Sequence, residues 1–186
     1  TFPFAVPHDI TWGRAGITLR GVQGGYTSTI RKITNTPGVG GRETSSGRLD
    51  DYGIDAILMV DHPNGTINRH VAIEALTLAS AAPEPVAVGI YAPRMSYALL
   101  ADVRVNGCWM AYLGYQLALS RVERMYAEGP GPSVGAGFVL ADDGSHANSS
   151  TSLTMDTVYM QRFREGFRFT RLFYSSLNAL AMDHCG

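Results

Sequence analysis

Apolar and polar positions follow two different rhythms along this chain. In the first half the apolar residues come in short runs rich in Val and Ile. Residues 54–60, 67–72, 74–79 and 86–91 read as successive strands, and 95–105 adds one more. Turn signals at His62-Pro63-Asn64-Gly65 and from Pro83 to Pro85 separate them. Ile17-Thr18-Leu19 predicts a further short strand. From Trp109 onward the spacing lengthens. Tyr112, Tyr115, Leu119, Val122 and Tyr126 recur at intervals of three and four and predict a helix stopped by Gly129-Pro130. Met155, Val158, Tyr159, Phe163, Phe167 and Thr170 do the same and predict a helix through 160–173, with an N-cap from the polar run 148–152. Residues 26–33, closed by Pro37-Gly38, and the tail 172–182 also read as helical, whereas 38–53 is a polar loop. The pattern predicts an α+β fold, an N-terminal mixed β-sheet followed by a mostly helical C-terminal half. With 186 residues, 45% of them hydrophobic, the chain suffices for one domain spanning 1–186. No internal repeat is evident.

Within the expected helix 160–173, Glu165 and Arg168 lie three apart and therefore share a face. Phe163, Phe167 and Phe169 leave little solvated surface around them, which marks the pair as a candidate site; a plain surface ion pair is the alternative. Gly166 costs a helix interior about 1 kcal/mol relative to Ala and implies close backbone approach.

The net charge of -1 provides no general field for nucleic acid or anionic lipid. Lys32 is the sole lysine, so the positive charge is nearly all Arg. No apolar run reaches the roughly 18 residues of a membrane-spanning helix. The sequence opens on Thr1, and the sequons at Asn64 and Asn148 suit a secreted protein. Cys108 and Cys185 fit neither a metal cluster nor a redox motif. Either they pair or both are free, and secretion favours a disulfide between them. His8, Asp9, Asp61, His62, His70 and His146 could serve a metal nuclease, but none shows ligand spacing. No metal and no cofactor is expected.

Glu165-Gly166-Phe167-Arg168-Phe169 resembles the Glu-Ala-x-Arg-Phe segment of the ribosome-inactivating proteins, the rRNA N-glycosidases of the ricin A chain and Shiga toxin A chain type. Other pieces follow in the same order: residues 17–19 then 26–30, residues 77–79 then 86–92 with Ser96-Tyr97, and Tyr112 or Tyr115. The similarity covers roughly residues 15 to 175. It implies a toxin or defence protein that removes one adenine from a large-subunit rRNA stem-loop of the ribosome and so inhibits translation, with or without a separate binding chain. Glu165 would stabilise the oxocarbenium-like state and Arg168 would assist the departing adenine. Tyr112 or Tyr115 would stack on the base, and Val86 and Ala87 would line the substrate strand. Val86 stands where the family carries its first active-site tyrosine. That departure supports the alternative of a catalytically weakened binding or storage protein.

Overall fold

The computed structural model describes residues 2–4, 16–22, 28–33, 55–60, 67–81, 86–141 and 149–186. Every regular element among them is a strand. They are β1 (Phe2–Phe4), β2 (Ile17–Arg20), β3 (Thr29–Lys32), β4 (Ala56–Val60), β5 (Asn68–Arg69) and β6 (Val71–Ser80). Next come β7 (Val86–Tyr91), β8 (Arg94–Ser96), β9 (Leu99–Asn106), β10 (Cys108–Gly114), β11 (Gln116–Ala118) and β12 (Arg121–Glu128). The remainder are β13 (Ala136–Leu140), β14 (Ser150–Thr151), β15 (Thr154–Gln161), β16 (Glu165–Phe169), β17 (Leu172–Phe173) and β18 (Ser176–Asp183).

From β4 on, every third strand joins the same sheet. The three sheets run β1-β4-β7-β10-β13-β16, β5-β8-β11-β14-β17 and β2-β6-β9-β12-β15-β18, with β3 pairing β6. Every pairing is parallel. Three strands therefore make one turn of a coil, and each turn hydrogen-bonds to the next. This is a parallel β-helix. Equivalent residues on adjacent turns lie 22 apart in sequence at Asp102 and Arg124 and 33 apart at Leu117 and Ser150.

The interior is filled by ladders of like residues. Ile73, Leu100, Val122, Met155 and Leu177 stack in register, as do Leu78, Val105, Ala127, Met160 and Met182. Burying one such side chain contributes about 1.5–3 kcal/mol. On β18 Leu177 and Met182 continue these ladders and are 39% and 61% exposed. In the first sheet Leu58, Ile90, Tyr112, Phe138 and Phe167 form the corresponding stack. Serines complete the corners: the N–H groups of Ala98, Leu117 and Leu153 donate to the hydroxyls of Ser120, Ser150 and Ser175. At the start of the coil the sole lysine, Lys32, is buried in an ion pair with Asp55 and also donates to the Ala56 carbonyl at 3.1 Å.

The structure corrects the expected α+β plan and its helical C-terminal half. The strands expected within 17–19 and 54–105 are present, but 109–126, 160–173 and 172–182 are also strands and turns, and the described part of 26–33 contains β3. The cause lies in the backbone. Ala75, Asp102, Arg124, Thr157 and Ala179 have φ between 49° and 57° in the middle of the long strands. Each left-handed residue adds one position to the strand, as a bulge does. The inward residues then fall at 122, 125 and 127, or 155, 158 and 160, and a strand acquires an interval of three that imitates a helix. A second left-handed set, His70, Tyr97, Leu119, Ser152 and Tyr174, turns the corner into each long strand.

Left-handed backbone costs an L-residue about 1–2 kcal/mol, and β-branched Thr suffers most. Thr157→Gly is therefore expected to stabilise the protein by about 1 kcal/mol in urea unfolding. In a regular strand the same change would weaken it by about 0.5–1 kcal/mol, and such a loss would contradict the bulge ladder.

Candidate functional site

The outward positions of the long sheet also stack. Thr77, Arg104, Tyr126, Tyr159 and Ala181 form one ladder, and Ala79, Asn106, Glu128, Gln161 and Asp183 form its neighbour two residues further along each strand. The strand period places both on one face. The Arg104 guanidinium lies 4.8 Å from the Tyr126 ring centroid. Tyr126 and Tyr159 stack at 5.4 Å with their planes 6° apart. Both faces of Tyr126 are thus occupied. Tyr159 has Tyr126 on one side and, on the next turn, only the methyl group of Ala181.

Polar partners fix these rings. Tyr126 donates its hydroxyl to Gln161 Oε1 at 2.7 Å, and Tyr159 donates to Asp183 Oδ2 at 3.0 Å. Arg162 Nη1 sits 3.3 Å from Glu128 Oε1, and His184 Nδ1 sits 2.8 Å from Asp183 Oδ1. Desolvation first, and then nearby carboxylates, raise the pKa of both phenols, so their protons stay in place. The Tyr159 hydrogen bond, followed by His184, holds Asp183 below the ordinary carboxylate range. The result is a partly exposed face bearing an aromatic surface, two carboxylates and an amide. Chemically it can pack against a pyranose ring and exchange hydrogen bonds with hydroxyl groups.

The residues singled out from sequence take other places. Glu165 and Arg168 do form a pair: Arg168 Nε donates to Glu165 Oε2 at 2.7 Å and Nη2 to Oε1 at 2.8 Å. They do so on strand β16. In this sheet two successive residues turn inward, so residues three apart share the outer side. Glu165 continues the register of Met110 and Ala136, and Arg168 that of Leu113 and Val139, all members of a second apolar cluster. The close approach expected at Gly166 is real, since a Cβ there would overlap the Met182 side chain. Tyr112 is fully buried, stacked on Phe138 at 4.4 Å, with its hydroxyl 3.4 Å from the Ala92 carbonyl. Tyr115 lies in the bend after β10, its N–H donating to the Pro93 carbonyl. Val86 and Ala87 begin β7, with Val86 in register with Cys108. The fold does not gather these residues around a common pocket: Tyr112 faces the interior and the Glu165–Arg168 pair the other side of the sheet.

The expected disulfide is absent. Both cysteines are free; Cys108 is buried, which pushes its thiol up to about 12, and Cys185 Sγ lies 3.7 Å from the Met160 carbonyl. His70 stacks on Tyr97 at 5.1 Å, whereas His8, Asp9, Asp61, His62 and His146 and both sequon asparagines lie outside the described residues. Among the described residues no group of three or more His, Cys, Asp and Glu is placed to hold a metal. No helix among them is long and apolar enough to cross a membrane.

A parallel β-helix is also the fold found on comparison with solved structures. The chain is similar to the gp42 tailspike of an Acinetobacter phage, with a TM-score of 0.63 and 18% identity over 84% of this chain. It spans 27% of the length of that tailspike. No protein-family model and no curated protein matches the chain. The resemblance to ribosome-inactivating proteins is thereby corrected: their implied helical half is replaced by strands, and nothing supports rRNA N-glycosidase activity, a ribosomal partner, or a toxin or defence role.

Asp102, Glu165 and Asp183 are all held below the ordinary carboxylate range, chiefly by hydrogen bonds from Arg124, Arg168 and Tyr159. Each stabilises the fold fully above its unfolded value of about 4, and that stability is lost as pH falls through the lower folded value. The melting temperature is expected to hold between about pH 7 and 5 and to drop below about pH 4, with a shallower acid limb in Asp183→Asn. Destabilisation already complete by pH 5 would show that other groups control it.

Proposed function

We propose that this chain is a β-helical segment of a tailspike-like protein that binds a surface polysaccharide outside the cell, along the outer face of its long sheet. The observation that carries the reading is the aromatic ladder that ends at Tyr159 above Ala181, flanked by Glu128, Gln161 and Asp183. A sugar ring packed on the open side of Tyr159 would find carboxylate acceptors within reach on the neighbouring ladder. The likeness to a phage tailspike supports it through the fold.

Screening against an array of bacterial capsular and O-antigen polysaccharides tests the proposal. The chain is expected to retain at least one glycan, and Tyr159→Ala to weaken it roughly two- to tenfold, the worth of one aromatic contact at about 0.5–1.5 kcal/mol. Tyr97→Ala, at the corner where the long strand begins, should leave affinity unchanged. Binding that survives Tyr159→Ala intact would move the site elsewhere.

A hydrolytic role has its own support. Glu128 and Asp183 stand two turns apart in the same ladder, which at about 4.8 Å per strand puts their backbones roughly 10 Å apart. Inverting glycoside hydrolases hold their carboxyl groups about 6.5–9.5 Å apart, leaving room for water. In this reading Asp183, kept ionised, takes a proton from the attacking water, and Glu128, paired with the Arg162 guanidinium in the resting face, must first take up a proton before it can deliver one to the glycosidic oxygen. Release of reducing ends from a bound glycan, lost at least a hundredfold in Asp183→Asn and Glu128→Gln while binding, for which each variant keeps an acceptor oxygen, weakens far less, is the expected result. A glycan bound but never cleaved would leave the face a binding surface only.

A further inference from the structure

The two ladders also carry a donor and acceptor pattern, and it bears on which sugars the face would select; the inference rests on the polysaccharide reading. Gln161 lies between Glu128 on the preceding turn and Asp183 on the following one. Its Oε1 is taken by the Tyr126 hydroxyl at 2.7 Å. The other end of the amide, Nε2, is then the part left to face a ligand, and the flanking carboxylates favour this orientation because an NH2 group beside them is attractive and a carbonyl is not. Tyr126 is itself held by Arg104 and Tyr159 on its two faces, so the amide is positioned by a rigid ring.

Along the coil axis the face therefore reads acceptor, donor, acceptor at intervals of about 4.8 Å. A ligand that satisfies it offers hydroxyl donors at both ends and an acceptor between them. A carboxylate in the middle would meet Gln161 well but would stand between two like charges, Glu128 and Asp183, of which Arg162 offsets only the first. An amide carbonyl meets Gln161 without that repulsion. We infer that Gln161 is a specificity residue for an acetamido sugar, its Nε2 donating to the N-acetyl carbonyl while Glu128 and Asp183 accept from hydroxyl groups.

The test starts from the glycans retained on the polysaccharide array. The bound set should be N-acetylated, and a set of bound uronates lacking acetamido groups would overturn the inference while leaving the binding face in place. One bound glycan is then compared with its de-N-acetylated form, which carries ammonium groups, on the wild-type chain and on Gln161→Glu. Replacing the amide donor by a carboxylate should shift the preference for the acetamido over the ammonium form by at least tenfold toward ammonium. Tyr126→Phe keeps the ring stack but frees the amide; it should weaken the acetamido form several-fold with an unchanged melting temperature. An identical preference ratio in wild type and Gln161→Glu would overturn the assignment. Failure to retain any glycan would overturn the polysaccharide reading itself, and this inference with it.

Discussion

Parallel pairing between successive turns is the constraint on which everything else here depends. Once each strand hydrogen-bonds in register to its counterpart one turn away, every side chain has a fixed neighbour about 4.8 Å above and below it. Inside, that rule requires like residues to stack, and they do: Val122 on Met155, Ala127 on Met160, Tyr112 on Phe138. Outside, the same rule converts single residues into continuous surfaces. Tyr126 and Tyr159 are far apart in sequence, yet their rings are forced into contact. The outer face is thus a by-product of the register that builds the core, and its chemistry can vary without disturbing the interior.

Much of the strand content was legible and its arrangement was not. Residues 86–91 coincide with β7, and 54–60 and 95–105 contain β4 and most of β8 and β9. In the second half the inward residues occur at intervals of three and two because Arg124 and Thr157 take left-handed backbone, and an interval of three is what a helix also produces. Nothing in the identity of Arg or Thr signals that conformation, for which Gly or Asn would be the ordinary choice. The Glu165 and Arg168 spacing misled for the related reason that this sheet turns two successive residues inward. Their contact was foreseeable, but the element that makes it was not.

The repeat was present all along. Val122-Glu123-Arg124-Met125-Tyr126-Ala127-Glu128 and Met155-Asp156-Thr157-Val158-Tyr159-Met160-Gln161 share one pattern of apolar and polar positions, and Leu100 to Asn106 and Leu177 to Asp183 follow it. Steps of 22 residues between some turns and 33 between others broke its period. Aligning the segments on their three apolar positions would have brought Tyr126 over Tyr159 and Glu128 over Gln161, and with them the face that composition and motif matching overlooked. In a solenoid, function is written across turns rather than along the chain.

Ligand recognition is proposed for the end of the aromatic ladder on the long sheet, where Tyr159 stacks on Tyr126. A crystal structure of the protein soaked with an oligosaccharide cut from a polysaccharide it retains tests this most directly. A sugar ring is expected against Tyr159 above Ala181, with hydroxyl groups within hydrogen-bond distance of Asp183. Sugar density confined to the corner formed by His70, Tyr97 and Leu119, or to the first sheet beside Glu165 and Arg168, would contradict it.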